Sequence, residues 1–303
     1  MQSNQLRTDL ITPALLAGLG TLELRARTLV EGLVSGMHRS PYRGFSVEFT
    51  EHRKYSQGDD LKHLDWKVFA RNDKYYVKQY EQETNLRMLL VLDASESMNY
   101  RSEPKGLSKY QYASVMAAAL AHLVLDQADA VGLMLFDDRP GRLVRASNRH
   151  GQYRALIQEM DRAPGSGKTR IRHVLDALAE LLPQRHLVVL LSDLLDDPED
   201  VLRGLRHLKH RRHEPLILQV LDHAEIEFPF TERSRFVGLE GIAPIVADPR
   251  ALRARYLEEM KRYTDRLRRG CHDLRADYGR FDTHNPLDAG LSAFLAARAG
   301  RAA

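Results

Sequence analysis

Cysteine occurs once in this chain, at Cys271, and tryptophan once, at Trp66. A lone cysteine excludes an internal disulfide framework and predicts a reducing compartment. Cys271 falls on the apolar stripe of a helical pattern, so it reads as a small core residue rather than a nucleophile. Long hydrophobic runs are missing too. The longest weakly polar stretch, Ala113 to Leu125, carries His122 and is too short to cross a bilayer. Met1 to Asp9 is polar, and no apolar segment with a cleavage site follows, so a cytoplasmic protein without a membrane span is expected. Neither sign of charge dominates: 45 basic against 41 acidic residues leave a net charge of +4. The arginine-rich pieces Arg203 to Arg212 and Arg262 to Arg269 lie on helical patterns and read as solvated faces. Nucleic acid is therefore not an expected partner. The thirteen histidines show no zinc spacing. His207, His210 and His213 lack the partner ligands that a closed site needs and read as solvated positions. No Ser/His/Asp or Cys/His catalytic set is visible, and no catalytic residue is assigned.

What is present is an α/β pattern. Pro13 to Val34 places Leu15, Leu16, Leu19, Leu22, Leu29, Val30 and Leu33 at helical spacing. Gly36 to Tyr80 alternates short apolar runs with turn residues, as in Phe45-Ser46-Val47-Glu48-Phe49. From Leu86 onward strand and helix patterns alternate. Strands are predicted at Leu86–Leu92, Val131–Phe136, Leu187–Leu191, Leu216–Leu221 and Tyr278–Phe281. Helices are predicted after a Ser108 cap and over Tyr153–Met160, Ile171–Leu182, Val201–Leu208 and Leu252–Leu274. A last helix is predicted after Asn285-Pro286. The expected fold is α/β, a doubly wound and mainly parallel sheet with a small β-rich N-terminal module. Its expected divisions are a helix over 1–35, the β-rich module over 36–85, and the α/β domain over 86–299 with an inserted hairpin at 226–249.

Oxygen donors gather at the predicted strand ends. Leu86 to Leu92 runs into Asp93-Ala94-Ser95-Glu96-Ser97, which places one carboxylate and two hydroxyls at alternating positions. Leu187 to Leu191 runs into Ser192-Asp193. Gly165-Ser166-Gly167-Lys168-Thr169-Arg170-Ile171 is a glycine-rich loop that opens a helix. Open parallel sheets hold ligands at the carboxyl ends of their strands. Asp93, Ser95, Ser97, Thr169 and Asp193 form a hard oxygen set suited to Mg²⁺ or Mn²⁺. Gly167-Lys168-Thr169 imitates the end of a phosphate-binding P-loop. That motif needs glycine where Arg162 stands and a strand where Tyr153 to Met160 has helical spacing, so nucleotide binding is not expected. Asp59-Asp60 and Asp65-Trp66 read as a capped turn with an anchored tryptophan rather than a catalytic pair. An aspartyl-phosphate reading of Asp93 lacks the second Asp two residues on, where Ser95 stands.

Asp93-x-Ser95-x-Ser97, the glycine-rich loop with Thr169, and Asp193 resemble the metal-ion-dependent adhesion site (MIDAS) of von Willebrand factor type A domains. Upstream, Tyr55-Ser56-Gln57-Gly58-Asp59-Asp60, Leu64-Asp65-Trp66, Ala70-Arg71 and Val77-Lys78-Gln79 resemble the signature of the bacterial domain of unknown function 58 (DUF58) family. Lys62 and His63 depart from it, standing where arginines are expected. The resemblance spans roughly Tyr42 to Arg298. It implies a von Willebrand factor A-like fold in which Asp93, Ser95 and Ser97 hold the metal directly. Thr169 would act directly or through water, and Asp193 would orient a bound water. It also implies metal-dependent protein binding, with a MoxR-type AAA+ ATPase as partner, completed by an acidic side chain of that partner. The alternatives are a metal-dependent phosphohydrolase using the same carboxylates, or a scaffold with an idle metal site.

Overall fold

A computed structural model of the chain describes residues 11–37, 53–54, 76–77, 86–162, 167, 169–238 and 244–302. Its central strand, β3 (Arg87–Asp93), is buried from Met88 onward. Alternate side chains of a strand point to opposite faces. Met88, Leu90 and Leu92 accordingly enter one apolar cluster, and Leu89 and Val91 enter another. In β6 (Leu187–Ser192), Val189 and Leu191 join the first cluster while Val188 and Leu190 join the second. Strands apolar on both faces require helices on both sides of the sheet.

Those helices are α3 (Lys109–Asp126) and α4 (Gln152–Met160) on one face, and α5 (Ile171–Leu181), α6 (Pro198–His210) and α8 (Pro249–Asp273) on the other. Helix α3 starts at a full capping box: Ser108 Oγ accepts from the Gln111 N–H, and Gln111 Oε1 accepts from the Ser108 N–H. Its Ala113, Ala117, Ala118, Ala119 and Ala121 are fully buried, and the small side chains let neighbours on both sides approach it closely. Two N-terminal helices, α1 (Pro13–Gly18) and α2 (Leu22–Met37), stand where one helix was expected. The break falls at Leu19 to Thr21, where Thr21 Oγ1 accepts from the Leu24 N–H at 3.2 Å and Arg25 Nε donates to the Leu19 carbonyl at 2.9 Å. Helix α2 lies against α3 and against the last helix, α9 (Leu287–Ala302), with Ala26, Leu29 and Leu33 fully buried.

The sheet also holds β4 (Ala130–Phe136), β5 (Pro140–Ser147), β7 (Glu214–Leu221) and β10 (Asp277–Asp282). Its order is β10-β7-β6-β3-β4-β5, with every pairing parallel except β4 with β5. The chain runs from β3 outward through β4 to β5, then returns to the opposite side of β3 for β6, β7 and β10. This is the doubly wound, mainly parallel sheet expected from the sequence. Its reversal puts the carboxyl ends of β3 and β6 side by side at the topological switch point. Leu92 aligns with Leu191, so Asp93 and Ser192 leave the sheet at one level.

Strand β5 was not predicted. It is a half-exposed edge strand without clean alternation, and the pairing shifts twice along it. Gly132 permits the close approach, since a Cβ there would lie 2.7 Å from the Val144 carbonyl oxygen. The helical segment α7 (His223–Glu227) was also not predicted. Within the range of the expected hairpin, β8 (Ser234–Phe236) pairs antiparallel with β9 (Ile245–Ala247). Contacts divide the chain into one unit of residues 1–42 with 86–303 and another of 43–85. In the second unit β1 (Arg53–Lys54) pairs antiparallel with β2 (Tyr76–Val77). Asp59, Asp60, Asp65 and Trp66 lie outside the described residues.

Replacing Leu29 tests whether α2 belongs to the core. Leu29→Ala removes a fully buried side chain, and such a change lowers unfolding free energy by roughly 2–5 kcal/mol. Urea denaturation should show one transition moved to lower denaturant. A change below about 0.5 kcal/mol, as at a surface position, would mean that α2 is dispensable.

Candidate metal centre

Asp93 ends β3 and is fully buried together with Ser95. Its Oδ1 accepts the backbone N–H of Ser95 at 2.9 Å, and its Oδ2 accepts the Ser192 hydroxyl at 2.6 Å. The following residues turn into a short 3₁₀ segment over Glu96–Asn99. That turn brings the Ser95 and Ser97 hydroxyls to 3.1 Å from each other. One carboxylate and two hydroxyls thus stand in one short stretch at the switch point.

The loop after β6 is held from several sides. Leu194 adopts φ 59°, a left-handed conformation that strains a bulky residue. Its N–H donates to Ser192 Oγ at 2.9 Å, and its carbonyl accepts the Tyr263 hydroxyl, which also reaches the Asp196 carbonyl at 2.8 Å. The Asp193 carbonyl accepts Gln219 Nε2 at 2.9 Å, and Tyr278 donates to Gln219 Oε1 at 2.5 Å. These bonds fix the direction of the buried Asp193 side chain.

Asp193 brings a residue that sequence reasoning missed. Its Oδ2 accepts from Lys109 Nζ at 2.7 Å, and the same ammonium donates to Glu225 Oε1 at 2.6 Å. The Lys109 side chain is 1% exposed. Asp193 Oδ1 accepts the Leu195 N–H at 3.2 Å. One signal of Lys109 was available in the sequence: it follows the Ser108 cap, the end of a helix where the macrodipole disfavours a cation. Glu225 carried no such mark, because α7 was not recognised.

Thr169 is half-buried and lies between two anchors. The Glu96 N–H donates to the Gly167 carbonyl at 3.2 Å, and the Ile171 N–H donates to Asp196 Oδ2 at 3.0 Å. The segment that carries Thr169 is therefore pinned to both the Ser95–Ser97 loop and the loop after Asp193. Lys168 lies outside the described residues. The element before the glycine-rich loop is helix α4, so the strand that a P-loop requires is missing there.

Burial of the Asp93 carboxyl, followed by the nearby charge of Asp193, pushes its pKa up to about 7, against the lowering effect of the bonds from Ser192 and Ser95. At Lys109 burial pulls the ammonium's pKa down, but the carboxylates of Asp193 and Glu225 outweigh it and hold it above its ordinary value. Glu225 is itself raised, mainly by burial. No Lys, Arg or His among the described residues pairs with Asp93. A hard divalent cation fits this arrangement, because Asp93 is a buried carboxylate without a counter-ion among the described residues and neutral hydroxyl donors stand beside it. Among the described residues no three His, Cys, Asp or Glu side chains group as metal ligands. Any metal held here depends on hydroxyls.

Away from the site, Cys271 is 1% exposed and its thiol is pushed up to about 12 by burial, as befits a core residue. The expectation of a solvated His213 is corrected. It is 2% exposed, its Nδ1 accepts the His186 N–H at 3.2 Å, and burial keeps its pKa low. His207 is half-buried against Asp176 at 2.8 Å, and His210 is exposed. No described helix is long and apolar enough to cross a membrane.

The fold and this crevice define a doubly wound α/β protein with a carboxylate–hydroxyl site at its switch point. The chain belongs to the family described as protein of unknown function DUF58, whose profile matches residues 51–266. An uncharacterised protein of Mycobacterium tuberculosis is 31% identical over 229 residues, covering 75% of this chain and 71% of that protein. An uncharacterised protein of Mycobacterium bovis matches to the same extent. Among solved structures, the conserved hypothetical protein BatB from Bacteroides thetaiotaomicron is similar at 14% identity and a TM-score of 0.43, covering 71% of this chain and 99% of that one. The VWA domain of SpRpn10 is similar at 16% identity and a TM-score of 0.34, covering 45% and 76%.

The raised pKa of Asp93 has a measurable consequence for the metal-free protein. With its folded value near 7 and its unfolded value near 3.8, the folded state holds an extra proton between those limits. Its contribution to stability is complete below the unfolded value and is lost as pH rises through the folded one. In EDTA, the wild type should lose stability relative to Asp93→Asn between about pH 4 and pH 7. Parallel stability–pH curves for the two proteins would contradict this account of Asp93.

Proposed function

We propose that this chain is a protein-interaction module that engages its partner through a bound divalent ion, Mg²⁺ or Mn²⁺. The observation that supports it most is Asp93, a fully buried carboxylate without a cationic partner among the described residues, set beside two hydroxyls 3.1 Å apart. Asp93, Ser95, Ser97 and Thr169 are the residues we assign to the ion. Asp193 acts through a water, in keeping with the engagement of both its oxygens by Leu195 and Lys109. A hard cation with protein oxygens on one side favours a further carboxylate on the other. The partner we propose is therefore an acidic side chain on another protein, and by resemblance that protein is a MoxR-type AAA+ ATPase.

Metal alone provides the first test. A ligand that binds only the folded state adds about 2.7 kcal/mol at a hundredfold excess over its Kd. Melting temperature should rise by several degrees when millimolar Mg²⁺ replaces EDTA. Asp93→Ala should abolish the rise, and Thr169→Ala should reduce it because a hydroxyl donor is lost. Lys168→Ala should leave it unchanged. Identical melting curves with and without metal would refute the site.

Partner binding provides the second test. Capture of a MoxR-type ATPase should require divalent metal and should fail with EDTA, with Asp93→Ala, and when one acidic residue on the ATPase is removed. Capture that survives all three changes would place the interface elsewhere on the chain. Metal-dependent hydrolysis of a phosphoester by the pure protein, lost in Asp93→Ala, would replace the binding module with an enzyme.

A further inference from the structure

Lys109 is the one buried cation at the crest of the sheet among the described residues, and the proposed metal chemistry does not use it. It occupies the first turn of α3, where the helix dipole opposes a positive charge. Its position is therefore set by what surrounds the ammonium. Asp193 lies at 2.7 Å, Glu225 at 2.6 Å, and the Tyr100 ring centroid at 5.9 Å. Glu225 is held in turn by its place in α7, where its Oε2 accepts the Asp222 N–H at 2.8 Å. The one ammonium stands between two carboxylates, Asp193 and Glu225.

We propose that Lys109 is a built-in counter-cation that claims the Asp193 side of the crevice and keeps the affinity for a divalent ion low. This rests on the metal reading above and concerns the strength of that same site. Asp193 has one oxygen bonded to the Leu195 N–H and the other to Lys109. It faces the ion with its charge already partly neutralised. An ammonium and a divalent ion sharing one carboxylate repel each other, and burial leaves that repulsion weakly screened. The result is a site that gains from an incoming carboxylate, because the ion's charge is under-compensated by the chain's own residues. Glu225 acts in the opposite sense: its carboxylate shares the ammonium at 2.6 Å and offsets part of the ammonium's repulsion toward the ion.

The test is calorimetric titration of Mg²⁺ and Mn²⁺ into the full chain, with melting temperature as a second readout. Lys109→Met should bind metal at least about tenfold more tightly than the wild type. Glu225→Gln should bind it more weakly, since it leaves Lys109 to Asp193 alone. Lys109→Met leaves two carboxylates buried together, a conflict that opposes folding. The Lys109→Met, Glu225→Gln double variant removes that conflict, and it should bind more tightly than Glu225→Gln alone. Wild type that binds metal, with the lysine replacement equal or weaker in both backgrounds, overturns the role of Lys109 and leaves the metal site standing. Wild type without measurable binding, together with a double variant that binds, supports the role. Absence of binding in every variant overturns this proposal and the metal reading together.

Discussion

The hydroxyl of Ser192 donates to Asp93 Oδ2 across the gap between β3 and β6. That bond joins the two halves of the sheet where they part, and the surrounding arrangement follows from it. Ser192 Oγ also receives the Leu194 N–H, so the same hydroxyl shapes the left-handed turn that aims Asp193. Asp93 Oδ1 in turn receives the Ser95 N–H, which starts the turn that brings the two serine hydroxyls together. One short contact between neighbouring strand ends therefore sets the geometry of both loops.

Burying carboxylates at such a point is expensive unless they are paired or protonated. The two aspartates meet this differently. Asp193 has a lysine and a backbone N–H, whereas Asp93 has a serine hydroxyl and a backbone N–H, and burial raises the pKa of its carboxyl. Two carboxylates at equivalent strand ends thus have unequal claims on a cation, and the asymmetry traces to Lys109.

Much of this was legible in the sequence, for identifiable reasons. Met88 to Leu92 and Leu187 to Leu191 are apolar at every position, which only central strands require, and each runs directly into its polar cluster. The Ser108 cap and the helical spacing of Tyr153 to Met160 were local signals, and the structure places helices there. What escaped depended on distant partners. Strand β5 owes its existence to pairing with β4 and to the missing side chain of Gly132. Lys109 is separated from Asp193 by 84 positions and from Glu225 by 116. No window along the chain shows that those charges meet. His213 was misread for a related reason, since its burial comes from packing beside His186 rather than from its polar neighbours in sequence.

The compact unit that carries the site is discontinuous along the chain, joining residues 1–42 to 86–303. Helix α2 precedes the intervening segment yet lies against α3 and α9, which follow it. Along the chain, residues 43–85 lie between α2 and β3. During synthesis α2 has no surface to cover until α3 has emerged, and its final seat waits for α9 at the far end of the chain. Its docking therefore reports on completion of the whole unit.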